Sequence, residues 1–133
     1  MADDRSVQCV VVTPERAVLD EKVDFVALPM YDGELGVLPG RAALIGRLGP
    51  GELRTRRGNA THRFFVDGGF AQVRNNVVTV LTPRALKAEE INRASAEQAL
   101  EAAKASHGSA EERLKAEARA RAQLRLVHQN AEH

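Results

Sequence analysis

Four histidines, one cysteine and a short basic run are the first side chains to test for chemistry in this 133-residue sequence. His62, His107, His128 and His133 include no pair at metal-binding helical spacing with a carboxylate between them, so they read as solvated or cap-side imidazoles. Cys9 is the only cysteine, which excludes both an intramolecular disulfide and a cysteine-rich metal site. It sits in a valine-rich run, where a buried apolar thiol is expected rather than a nucleophile. Neither a Gly-x-Ser-x-Gly elbow nor a Gly-x-x-x-x-Gly-Lys-Ser/Thr loop occurs, so a hydrolase built on either is excluded. Arg54-Thr55-Arg56-Arg57 could grip phosphate, but on a strand leading into a turn it reads as a solvated, gatekeeping face. With no nucleophile, base or metal set to assemble, the sequence predicts a non-enzymatic chain without a cofactor or metal.

Binding of nucleic acid is not expected either. The 19 Lys and Arg stand against 18 Asp and Glu, a formal charge of +1, whereas binding by counterion release calls for a basic excess. Four Phe, one Tyr and no Trp are too few for a sheet that stacks bases. No apolar run approaches the roughly 20 residues of a membrane span, and residues 1–5 carry no apolar or Arg/Ser-rich targeting segment, so a soluble chain is expected.

The length predicts one modest domain with an appendage. Composition changes sharply at Pro83. All glycines but Gly108, every proline and every aromatic residue lie up to that point; Ala, Glu, Lys, Arg, Gln and Leu dominate beyond it. Short β-branched runs separated by glycine-rich turns predict strands at 7–13, 16–19, 23–28, 35–37, 52–57, 62–66, 70–74 and 77–81. Asn75-Asn76 predicts a two-residue hairpin, Gly58-Asn59 a second turn, and Gly68-Gly69 a break between strands. Without helix-length crossovers, the strands predict an antiparallel β-sandwich.

The remainder predicts two helices, 88–105 and 110–128, with Glu89 and Glu90 favoured by the first helix's N-terminal dipole and Ser109-x-x-Glu112 forming a capping box. The expected fold is therefore α+β, mainly β: a sandwich over residues 1–86 followed by an antiparallel two-helix hairpin over 87–133. Small alanines give the hairpin little to bury, so it must gain stability from whatever it docks on.

The most specific segment is Asp32-Gly33-Glu34-Leu35-Gly36-Val37-Leu38-Pro39-Gly40-Arg41, whose glycines allow Glu34, Val37 and Leu38 to stand on a loop at one end of the sandwich. Together with Leu48-Gly49-Pro50-Gly51-Glu52-Leu53-Arg54, Phe65-Val66-Asp67-Gly68-Gly69-Phe70 and Asn76-Val77-Val78-Thr79-Val80-Leu81, it resembles the epsilon subunit of the bacterial F-type ATP synthase. The resemblance extends to the helical hairpin and its Ser106-His107-Gly108 turn.

That resemblance implies a non-catalytic rotor subunit of the central stalk, whose sandwich binds the gamma subunit and rests on the ring of c subunits. It implies a peripheral place on the cytoplasmic face of the cell inner membrane. It puts Glu34, Leu38 and Arg41 in the ring-facing loop, with Arg41 in place of the family's usual His and Ala43 in place of its usual Pro. The hairpin would fold on the sandwich or extend along gamma toward the alpha and beta catalytic subunits, restraining ATP hydrolysis. Between Ala118 and His128 the last helix carries Arg119, Arg121 and Arg125 and no acid, a polarity that the helix dipole favours by itself. The resemblance implies that these arginines meet an acidic surface of the catalytic head. Some members bind ATP through an Ile/Leu-Asp-x-x-Arg-Ala motif. Here Ile91-Asn92-Arg93-Ala94-Ser95-Ala96 replaces its acid with Asn92 and its arginine with Ser95, so ATP binding is not expected.

Overall fold

The computed structural model describes residues 6–131. Residues 1–5, read above as carrying no targeting signal, and His133 lie outside them. The strands are β1 (Val7–Val12), β2 (Ala17–Val23), β3 (Phe25–Met30), β4 (Gly33–Val37), β5 (Leu44–Arg57), β6 (Ala60–Arg74), β7 (Val77–Leu81) and β8 (Ala85–Lys87). They form one hydrogen-bonded path, β2-β1-β7-β6-β5-β3-β4, with β8 added on β6.

Two long strands turn this path into a sandwich. Leu44 to Leu48 of β5 pair with Gly69 to Val73 of β6, and from Pro50 to Arg57 β5 pairs with the other half of β6, Ala60 to Asp67. The first half carries β7, β1 and β2; the second carries β3, β4 and β8. The corner falls at Gly68 and Gly69, whose φ angles are 77° and 103°. A Cβ on Gly69 would lie 2.0 Å from the Leu81 carbonyl oxygen, so the bend needs glycine there. The glycine pair expected to separate two strands instead bends one. Likewise Gly46, Gly49, Pro50 and Gly51 concealed the first half of β5, because a strand crossing a corner carries turn residues in its interior.

The β1–β7 pair is parallel, while all other strand pairs among the described residues are antiparallel. β1 and β7 are far apart in sequence, so no tight turn forces them antiparallel. Asn75 and Asn76 have φ of 51° and 61°, the positive values that the two-residue β6–β7 hairpin demands. Gly58 at φ 60° opens the β5–β6 turn. Between the layers pack Val7, Val11, Val78 and Val80 from one side and Val26, Leu28, Leu53 and Phe64 from the other.

After β8 a 3-10 turn (Ala88–Glu90) leads to α1 (Arg93–Lys104) and α2 (Ala110–Ala131). The first helix therefore starts five residues later than expected. Ile91 is extended, and the Asn92 side chain accepts a hydrogen bond from the Ser95 amide at 2.9 Å, capping α1. Glu89 and Glu90 belong to the 3-10 turn instead, where the Glu90 carboxylate accepts from the Lys87 amide at 2.8 Å. Ser109 caps α2 as the sequence suggests, accepting from the Glu112 amide at 3.1 Å. The hairpin is folded down, with α2 lying across β5 and β6.

Candidate functional site

The residues singled out by sequence lie in three places. Glu34 is on strand β4, opposite Pro29, rather than on a loop, and Val37 is buried in the core. The expected loop begins only after Val37: alternation along β4 turns Val37 inward, and pairing with β3 fixes Glu34 in the sheet. Leu38 and Arg41 are on that loop, bridged by a hydrogen bond from the Arg41 amide to the Leu38 carbonyl at 3.2 Å. The Gly40 amide donates to Asn76 Oδ1 at 2.8 Å, which ties the loop to the β6–β7 turn. Glu34 and Arg41 line one shallow depression with Tyr31, Ile45 and Arg47; Leu38 stands apart from it.

Glu34 is held by charge. Its two carboxylate oxygens lie 3.4 Å from the two terminal nitrogens of Arg54, which also reaches Glu52 at 3.2 Å, and Arg63 reaches the same Glu52 at 3.4 Å. Partial burial alone would lower the Arg54 pKa, but the Glu52 and Glu34 carboxylates outweigh it and raise it, so Arg54 stays a cation. The basic run Arg54-Thr55-Arg56-Arg57 is thus divided. Arg54 joins this network, Thr55 is buried, and Arg56 stacks on Phe25 at 5.2 Å.

Sequence reasoning overlooked the exposed apolar residues. Arg47, Phe70, Leu81 and Val12 lie directly across from one another on β5, β6, β7 and β1. Phe70 is 53% exposed and Leu81 54%, and Pro14 and Pro83 continue this apolar groove. Tyr31 at 67% and Ile45 at 74% extend the exposed surface toward Glu34, with Arg47 over the Tyr31 ring at 4.7 Å. The signal was present as alternation: Phe70 and Leu81 flank the inward-facing Ala71 and Val80, so both must face out.

The three arginines of α2 do not share one task. Arg119 Nε lies 2.7 Å from Asp67 Oδ1 on the sandwich, Arg121 reaches Glu117 one turn back at 3.9 Å, and Arg125 lines a crevice with Glu34, Glu52, Arg54 and Arg63. Of the altered nucleotide motif, Asn92 and Ser95 make the cap of α1, while Ile91 packs with Phe65, Ala122 and Leu126 beneath the hairpin. Cys9 is buried. Burial, then the neighbouring Glu21 and Asp20 carboxylates, push its thiol from 9.0 up to about 12, so it is neither a thiolate nor a nucleophile at neutral pH. Among the described residues, no three His, Cys, Asp or Glu side chains converge as a metal site, and no helix is long and apolar enough to cross a membrane.

Residues 6–88 match the family described as ATP synthase, Delta/Epsilon chain, beta-sandwich domain. The chain is 57% identical over 95 residues to the ATP synthase epsilon chain of Rhodopirellula baltica, covering 71% of this chain and 74% of that one. It is 40% identical over 109 residues to the epsilon chain of Lawsonia intracellularis, covering 82% of each. Its fold matches a chain in the cryo-EM structure of the Euglena gracilis mitochondrial ATP synthase with a TM-score of 0.77 and 27% identity, over 97% of this chain and 82% of that chain. The match over residues 6–88 and the identity to these epsilon chains show that the chain belongs to the ATP synthase epsilon family, as a non-catalytic subunit.

Proposed function

We propose that this chain is a rotor subunit of a proton-translocating F-type ATP synthase, coupling the gamma subunit to the c ring and restraining ATP hydrolysis with its C-terminal hairpin. The sandwich, residues 1–86, carries the two stationary contacts, and the hairpin, 87–133, is the moving arm. The row Phe70–Leu81–Val12 carries this reading, because exposed Phe70 and Leu81 side by side, continued by the half-buried Val12, make an apolar surface of the kind that marks a partner interface. We assign that row to gamma. The edge holding Glu34, Leu38 and Arg41 is assigned to the ring, and Arg119, Arg121 and Arg125 to the alpha and beta subunits when the arm extends. The structural relatives come from a mitochondrial ATP synthase and from a central-stalk and c-ring assembly of Tetrahymena thermophila, the latter sharing the fold alone at 17% identity and a TM-score of 0.59. In the complex the chain sits peripherally on the cytoplasmic face of the cell inner membrane.

The test replaces Phe70 and Leu81 together by serine in the full chain. Half-exposed side chains contribute little to the core, so the variant should melt within a few degrees of the wild type. It should lose co-purification with gamma by at least about tenfold, the scale of two truncated interface anchors. A folded variant that retains gamma would place the gamma contact elsewhere.

A further inference from the structure

The hairpin rests on the sandwich through one apolar cluster, in which Ala122, Leu126 and Val127 of α2 pack with Phe65, Leu86 and Ile91. Among the described residues of α2, Ala120, Ala122 and Leu126 are buried in the docked arrangement, and Leu126 has the largest side chain of the three. Beside that apolar cluster stands a close charged contact between arm and sandwich, Arg119 Nε to Asp67 Oδ1 at 2.7 Å. The two partners differ in freedom. Asp67 is fixed by its backbone: its amide donates to the Arg84 carbonyl at 3.1 Å and to Thr82 Oγ1 at 3.3 Å, immediately before the Gly68–Gly69 bend. Arg119 belongs to the element that would move. Two further cations, Arg47 and Lys115, line the same groove, with Lys115 drawn to Glu111 at 3.4 Å.

We propose that Asp67 and Arg119 form an ionic clasp that keeps the hairpin docked, so that docking and any contact of the arm with the catalytic head compete for the same guanidinium. The first part stands on the docked geometry; the second rests on the inhibitory reading above. With side chains 42% and 20% exposed, the pair is open to screening by salt, which makes the docked fraction sensitive to ionic strength. A contribution of about 1 kcal/mol changes the ratio of docked to undocked arm severalfold, whatever the apolar cluster adds.

The experiment measures docking directly in the full chain. Spin labels on Gln72→Cys and Leu114→Cys, both exposed positions, report the separation of sandwich and arm; the buried Cys9 thiol stays unlabelled. Asp67→Asn preserves shape and leaves the backbone bonds of residue 67 in place. It should raise the undocked fraction about two- to fivefold. Raising salt to about 0.5 M should do the same to the wild type and little to the variant. Arg119→Gln should match Asp67→Asn, and the double variant should add nothing further. In the reconstituted complex, Asp67→Asn should slow ATP hydrolysis, because it frees an arm that still carries Arg119, whereas Arg119→Gln should not. An unchanged docked fraction and salt response in Asp67→Asn would overturn the clasp. A docking shift with unchanged hydrolysis would support the clasp and overturn the inhibitory reading instead.

Discussion

Cys9 shows how a side chain with chemical potential is retired by its surroundings. The sequence places it among valines on an alternating strand, and the fold buries it completely between the layers. An unfolded chain loses the thiol proton near 9.0, while the native chain holds it up to about 12. Below pH 9 both states are protonated and the thiol has no pH-dependent effect; between 9 and 12 only the unfolded state gains from ionisation, so stability falls as pH rises. Relative to Cys9→Ala, urea unfolding of the wild type should lose about 1.4 kcal/mol per pH unit across that window. Equal pH slopes for the two proteins would mean that the thiol reaches solvent in the native state. The same contrast between type and place applies to Asn92 and Ser95. As a nucleotide motif they lack the acid and the guanidinium, yet as a cap they satisfy an orphan amide of α1.

At the level of elements, the adjacent Phe64 and Phe65 explain why sandwich and hairpin need each other. On a strand they face opposite sides, and alternation alone requires only one of them to be core. Both are buried: Phe64 lies between the layers, and Phe65 lies on the outer face, covered by Ile91, Ala122 and Leu126. The hairpin is therefore the cover of an otherwise exposed aromatic ring, and Leu126 is the main side chain with which α2 covers it. Leu126→Ala should remove about 2–4 kcal/mol from this contact. Because the main core is separate, the loss should appear as faster amide exchange along α1 and α2, with the strands unchanged. Equal loss of protection in β1 and β7 would mean that hairpin and sandwich unfold as one unit.

For the whole molecule, a single network of charge links the edge assigned to the ring with the surface beneath the arm. Glu34 on β4, Arg54 and Glu52 on β5 and Arg63 on β6 are joined by ion pairs, and Arg125 of α2 lines the crevice beside them. Glu34 is the more exposed carboxylate of this set and is partly committed to Arg54, so removing its charge alters the edge assigned to the ring without disturbing the core. Glu34→Gln should lower proton-driven ATP synthesis in membrane vesicles on the order of two- to fivefold, the scale of one exposed charge pair, while gamma stays bound. Unchanged synthesis would move the ring contact away from this edge.

The sequence by itself determined what is local. Turn residues marked the Asn75-Asn76 hairpin, β-branched runs marked most of the strands though not the first half of β5 or β8, and the alanine-rich segment beyond Pro83 marked two helices. These follow from backbone preferences that operate within a few residues. Tertiary structure decided the rest. Whether Gly68-Gly69 ends a strand or bends one depends on Leu81, whose carbonyl leaves no room for a Cβ at Gly69. Glu34 lies in a strand because β3 pairs with it, and Arg119 is drawn out of a row of similar arginines because Asp67, 52 residues earlier, sits beneath it. The folded-down state of the hairpin belongs to the same class: it rests on contacts between segments distant in sequence, which no short pattern encodes.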